Sequence, residues 1–230
     1  MSMLWQVKNF VNRKERRCIH THLIEDGVSC ADLMKVFISG PHSDNALDGV
    51  VMDRVYNITD QNIEILVGDA PGVDTTMQFF LWLTKYENVK VYTDNIVAQE
   101  SIGNWAVIPV AVPQNATEFD SYSAKDIKMI ELADYGFVIW DGKSQGILSN
   151  IIGLTRQKKP VLVYFTPQGK FYTIKTTDKA REFVEKLGKD VSFLFDKLVE
   201  QHIKFERIAE WDYINGEQMA FATMQKKYSN

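Results

Sequence analysis

Cysteine is nearly missing from this chain. Cys18 and Cys30 are the only two in 230 residues, which leaves little room for a disulfide framework. So low a count suits a reducing cytoplasm with both thiols free. No apolar run approaches the roughly 20 residues needed to cross a bilayer, so no membrane association is expected. Met1 to Arg17 has no continuous apolar stretch and no small-residue cleavage site, and is not expected to act as a secretory signal. No charge dominates either: the net charge of −4 argues against a broad nucleic-acid surface, although a local groove stays open. Internal repeats, low-complexity tracts and long flexible linkers are absent as well. What is present, 45% hydrophobic and 24% charged residues, describes an ordinary folded protein of one domain with additions.

Residues 1–34 read as an N-terminal extension. Asn12-Arg13-Lys14-Glu15-Arg16-Arg17 is a basic cluster that fits a solvated helix face, or a contact to a partner. Cys18, His20, His22 and Cys30 form a C-x-H-x-H-x7-C array. Four potential zinc ligands lie close together, yet the spacing matches no standard zinc module. An ordinary extended segment is the expectation, and neither a metal nor a cofactor is expected.

Organisation becomes legible at residue 35. Lys35 to Gly40 reads as a buried strand ending in small residues. Val50, Val51, Val55 and Ile58 mark one face of a helix between Leu47 and Asn62. Ile63 to Val67 is a second apolar run, closed by Gly68-Asp69-Ala70-Pro71-Gly72-Val73-Asp74 and followed by a helical pattern from Thr75 to Tyr86. Asn88 to Tyr92 reads as a third strand. Asn104 to Val110 holds at most a short edge strand, because Pro109 and Pro113 argue against a central one. A helix from Ala124 to Ala133, a strand from Tyr135 to Trp140, a helix from Ile147 to Gln157 and a strand from Pro160 to Phe165 complete the alternation. The expected fold is α/β and doubly wound, with a mainly parallel sheet of about five strands over 35–167. Beyond it, 168–230 reads as a mainly helical addition packed on the core. Phe171 to Ile174 is a candidate strand, with a helix cap at Thr177 or Asp178.

Three small-residue turns follow strands: Ser39-Gly40-Pro41, Gly68 to Asp74, and Trp140 to Ile147. A parallel sheet places all three along its carboxyl edge, where α/β folds bind ligands. Strand, glycine turn and helix together make an anion site from free amides and the helix dipole. Gly68 is expected to relieve the turn, and Gly72 to let the backbone approach a ligand. GDAPG is neither the GxGxxG dinucleotide fingerprint nor a lysine-bearing P-loop.

VGDAPGVDTTMQ resembles the "GGAxGxD" element of the SLOG superfamily. This Rossmann-like group includes the cytokinin-activating "Lonely Guy" hydrolases and the DNA-processing protein A. Lys125-Asp126-Ile127-Lys128-Met129, Ala133-Asp134 and Trp140-Asp141-Gly142-Lys143-Ser144-Gln145-Gly146-Ile147 look like the pattern "R-N/D-x-x-M … A-D … W-D-G-x-S-x-G-T" of a small bacterial and phage branch. The resemblance runs over about residues 35–165. It implies a site for a nucleotide or nucleotide-derived small molecule. Ser39 and Gly40 would line the base or ribose side, with Pro41 beside them as a further ligand-binding candidate, Gly68 and Gly72 would shape the phosphate turn, and Gly146 would begin a second anion-binding helix. Two positions depart from the pattern: Ile147 replaces a threonine hydroxyl, and Lys125 stands where arginine is common. The "PGGxGTxxE" element of the Lonely Guy enzymes is missing, so their hydrolase activity does not carry over.

Residue chemistry gives parallel readings. Asp74 either caps the helix or takes ribose hydroxyls, since a carboxylate beside a phosphate repels it. Asp69 reads as a solvated turn residue, with Gly72 and Val73 beside it in the turn. Asp126 reads as an early helical acid suited to the dipole. Lys125 reads as an exposed lysine able to neutralise phosphate, and His42 as a loop residue usable as an acid or base. Trp140 is either core or a stacking platform, Gly142 shapes its turn, and Ser144 is the expected cap of the next helix. If a glycosidic bond is broken, Asp126 or Asp141 would be base or nucleophile. The leading expectation is a nucleotide-binding or sensor module. A nucleotide N-glycosidic hydrolase or transferase comes second and single-stranded DNA binding third, with a homodimer as the oligomer expected.

Overall fold

Of the 230 residues, a computed structural model describes 34–42, 47–95, 98, 101–110, 118–204 and 206, with side chains from 124 onward in the helix that begins at 118. The Cys18/His20/His22/Cys30 array, the basic cluster at 12–17 and the tail beyond 206 lie outside the described residues.

The alternation expected from the sequence is present. β1 (Lys35–Ser39) leads to α1 (Gly49–Thr59), β2 (Glu64–Gly68), α2 (Val73–Leu83), β3 (Val89–Thr93) and β4 (Ala106–Pro109). Then come α3 (Glu118–Leu132), β5 (Tyr135–Trp140), α4 (Gln145–Arg156), β6 (Val161–Phe165), β7 (Lys170–Ile174) and α5 (Thr177–Glu185). The last helix among the described residues, α6, covers 189–204. The sheet has seven strands in the order β4-β3-β2-β1-β5-β6-β7, two more than expected. The two additions are its edges. β4 pairs parallel with β3 and is mostly exposed, which is how it tolerates Pro109. β7 pairs antiparallel with β6 after a 3₁₀ turn, Thr166–Gln168, that ends on Gly169 at φ 59°.

The chain winds from β1 outward to β4, then crosses back to place β5 on the other side of β1. The strand order therefore reverses between β1 and β5, and the turns after these strands splay apart there to open a crevice. Parallel pairing of β1 with both β2 and β5 brings the ends of all three strands to one edge. The Rossmann-like, doubly wound arrangement is thus what the molecule has.

Alternate residues along each strand feed two cores, as the two-residue period of a strand requires. Val36, Ile38, Ile65, Val67, Phe137 and Ile139 pack under α1 and α2, with Val55, Met77 and Leu81. Phe37, Leu66, Val138 and Trp140 pack on the other face against Met129 of α3, Leu148 and Ile151 of α4, Val184 of α5 and Leu198 of α6. The C-terminal segment thus extends the sheet by a strand and the second core by two helices. α5 is capped by Thr176, whose side chain accepts from the Lys179 N–H. That is one residue before the expected cap: Thr176 keeps an extended backbone while Thr177 is already helical.

Candidate functional site

A cleft of about 920 Å³ opens at the carboxyl edge over the β1/β5 reversal, large enough for a nucleotide-sized ligand. Ser39 to His42, Ala70, Pro71 and Asp74 form one part of its wall. Asp94, Lys125 and Asp126 form another, and Ser144 to Ile147 with Ser149 a third. Leu194, Lys197, Leu198 and Gln201 of α6 supply the last.

The turn after β1 is clamped onto the start of α2. The Val73 N–H donates to the Pro41 carbonyl at 3.2 Å. A Cβ on Gly40 would lie 2.5 Å from Val73 Cγ1, and one on Gly72 would lie 2.5 Å from the His42 carbonyl oxygen. Gly72 (φ 91°) therefore lets the backbone approach another stretch of the chain, not a ligand as expected. Gly68 is likewise misread as a turn residue. It closes β2, and a Cβ there would overlap Asp74 Oδ2, so its missing side chain makes room for that carboxylate. Asp74 lies in the first turn of α2, whose cap position belongs to Gly72, and its side chain faces the cleft.

Around Asp74 lies a network of acids tied to one lysine. Lys125 Nζ contacts Asp69 Oδ1 at 2.5 Å and Asp94 Oδ2 at 4.0 Å, and the Lys125 N–H donates to Asp94 Oδ1 at 2.7 Å. Asp69 is 0% exposed, and the Lys125 side chain only 12%. The solvated aspartate and exposed lysine read from the sequence are in fact a buried pair. Neither is tolerable alone in the interior, so burial of one requires the other. Asp126 is not near a helix start, because α3 already begins at Glu118. Mid-helix, it turns to the cleft and accepts from Asn150 Nδ2 at 2.8 Å. The same amide nitrogen donates to Ser39 Oγ at 2.9 Å. Asn150 thus joins β1, α3 and α4 beneath the cleft.

Burial drives the Asp74 carboxyl up to about 8, with the Asp126 charge adding to the shift and Lys125 and the Ala70 N–H opposing it. Burial also raises Asp126, to about 6, against the Asn150 hydrogen bond and the Lys125 charge. Asp94 is raised by burial too. For Lys125 burial alone would lower the pKa, but the Asp69 hydrogen bond and the surrounding carboxylates outweigh it and leave it raised. Near neutrality the Asp74/Asp126 pair thus offers one carboxyl donor and one carboxylate acceptor. A carboxyl raised in the folded state binds its proton at higher pH than in the unfolded chain. Its contribution is therefore most favourable at low pH and is lost as pH rises through the folded value. The urea midpoint should fall between about pH 5 and pH 9, and Asp74→Asn should flatten that fall; a midpoint rising over this range would contradict the assignment.

The third turn is organised by Asp141. Its Oδ1 accepts from the N–H groups of Lys143 (2.9 Å) and Ser144 (2.7 Å), and its Oδ2 lies 3.3 Å from Ser144 Oγ. That carboxylate shapes the turn and does not line the cleft, which counts against it as base or nucleophile. Ser144 holds the cap position of α4, but its side chain makes no cap bond because it turns to Asp141. Trp140 is 1% exposed, ringed by Phe165 and Phe183, with its indole N–H donating to the Ser144 carbonyl. It is core, with no face left for a base. Gly142 (φ 77°) rests against Phe165 behind the cleft. Gly146 and Ile147 do line it, on the first turn of α4, and no atom lies within 4 Å of where a Gly146 Cβ would stand.

Sequence reasoning missed Asn150, Asp94 and the whole α6 wall. Leu194, Lys197, Leu198 and Gln201 carry the i, i+3, i+4, i+7 spacing of one helical face, which was the available signal.

The fold and the cleft's position define a Rossmann-like α/β protein with a ligand-sized site at its topological switch. No protein-family model matches the chain, and no curated protein matches it in sequence. Among the described residues, no group of three or more His, Cys, Asp or Glu could hold a metal ion, and no helix is long and apolar enough to cross a membrane.

Proposed function

We propose that the cleft binds a nucleotide or nucleotide-derived small molecule, as a ligand-binding or sensor module of the cytoplasm resembling the SLOG superfamily. The observation carrying this reading is the composition of the lining. It holds the acids Asp74 and Asp126 together with the first turn of α4 at Gln145, Gly146 and Ile147. Ribose hydroxyls, which donate, suit the Asp126 carboxylate. A phosphate suits helix-start amides without intrahelical acceptors. The Asp126 carboxylate repels a continuous phosphate backbone, which weighs against single-stranded nucleic acid.

A second reading is favoured by one contact. Asn150 fixes Asp126 Oδ2 and leaves the other carboxylate oxygen for a ligand. Aimed at a ribose carbon, that carboxylate would serve a nucleotide N-glycosidic hydrolase or transferase as nucleophile.

One experiment separates the readings. The protein is heated with each of the common ribonucleoside monophosphates while free base is assayed. At a ligand concentration of about 100 times Kd, binding adds about 2.7 kcal/mol. That raises Tm by several degrees for a chain of this size. Stabilisation without base release is the expected outcome. Base release that disappears in Asp126→Ala would establish the second reading instead. No stabilisation by any nucleotide would overturn both.

A further inference from the structure

The cleft has two lysines, and they are not equivalent. Lys125 is committed to Asp69 and Asp94. Lys197, on the exposed side of α6, also lines the cleft, and among the described residues no carboxylate pairs with it. Its position relative to α4 follows from two contacts. Ser149 Oγ lies 2.9 Å from His202 Nε2, and Arg156 Nε donates to Glu206 Oε1 at 2.9 Å. Later residues of α4 thus meet later residues of α6, so the two helices run side by side in the same direction. One turn before His202 is Leu198, and one turn before Ser149 is Gln145. Leu198 and its neighbour Lys197 are therefore carried toward the first turn of α4, and both line the cleft there.

Asp94 and Asp126 line the cleft as acids tied to Lys125 and Asn150, while Lys197 lines it with no carboxylate partner among the described residues. Ile147 brings no hydroxyl to this corner, so an anion there has only helix amides and the dipole unless a side chain adds to them. A lysine at the rim of such a turn is placed to supply a charge-assisted contact.

We propose that Lys197 reads the anionic group of the ligand and makes the cleft prefer a phosphorylated nucleoside over the neutral one. The inference rests on the nucleotide reading above. It adds that the phosphate lies on the α4/α6 side, held by a residue of the C-terminal helix. The ammonium gains a partner only when the ligand carries phosphate, so Lys197 contributes to discrimination and not to affinity for the sugar or base.

The test is calorimetric titration of the full chain with the ribonucleoside monophosphates and the matching nucleosides, for wild type, Lys197→Ala and Lys197→Arg. The ratio of nucleoside Kd to monophosphate Kd should drop about tenfold in Lys197→Ala, with nucleoside affinity and Tm unchanged. It should be largely kept in Lys197→Arg, and in wild type it should shrink as salt is raised. Monophosphate binding with an unaltered ratio in Lys197→Ala would overturn the inference and leave the proposed function standing. Equal weakening of nucleoside and monophosphate would overturn it too. Failure of every nucleotide and nucleoside to bind wild type would overturn the proposed function, and this inference with it.

Discussion

Lys125→Met should lower the unfolding free energy by about 3–5 kcal/mol at pH 8, because it removes one partner of a buried ion pair. Tm should drop by roughly 10 °C for a chain of this length. Asp69 is wholly buried and would lose the ammonium 2.5 Å away. Asp74, Asp94 and Asp126 would lose the nearest positive charge as well. The deficit should shrink toward pH 5, where carboxyls stripped of their counter-charge take up protons in the folded state. Asp69→Asn combined with Lys125→Met should recover part of the loss, since the stranded carboxylate is then gone. Chemical denaturation across this pH range decides the matter. A loss below 1 kcal/mol, or one that does not change with pH, would mean that solvent and not Lys125 neutralises these acids.

Gly72→Ala should be of similar size for a different reason. Gly72 has φ 91° and ψ −128°, a backbone conformation that L-residues rarely adopt. Its added methyl would also meet backbone at His42, which cannot swing aside as a side chain tip can. Strain and overlap each carry about 1–3 kcal/mol, so a combined loss of roughly 3–5 kcal/mol is expected, or displacement of the turn after β1. Gly146→Ala is the matching control. It is helical and has open space around it, so it should be neutral or gain up to about 1 kcal/mol. Urea unfolding of the two variants side by side tests the contrast, and equal effects would refute it.

Much of the architecture was legible because local pattern carries it. Apolar runs such as Val36-Phe37-Ile38 and Ile65-Leu66-Val67 announce buried parallel strands, and the turns after them announce the edge where the cleft lies. The edge strands β4 and β7 were harder to read, since short, half-exposed strands leave a weak pattern. The candidate site was legible as a place but less so as a set of contacts. Asp69 and Asp141 both stand in polar turns, yet one is sunk against Lys125 and the other holds two neighbouring amides. The partner of Asp69 lies 56 positions away, a distance at which no local rule operates. Asn150 sits in a helix among apolar residues, and only tertiary packing shows that it reaches both Ser39 and Asp126. Gly40 and Gly72 were recognised as important, but their reasons lie in Val73 and His42, about thirty positions away in the chain.

The cleft draws its walls from Ser39 at one extreme and Gln201 at the other. A nascent chain leaving the ribosome would therefore lay down nearly the whole sheet while its pocket still lacked a side. Under the proposed function, a copy terminated before α6 would lack one wall of its binding site. Were the cleft to bind a small molecule as proposed, occupancy would pin that helix in place and slow its digestion by proteases.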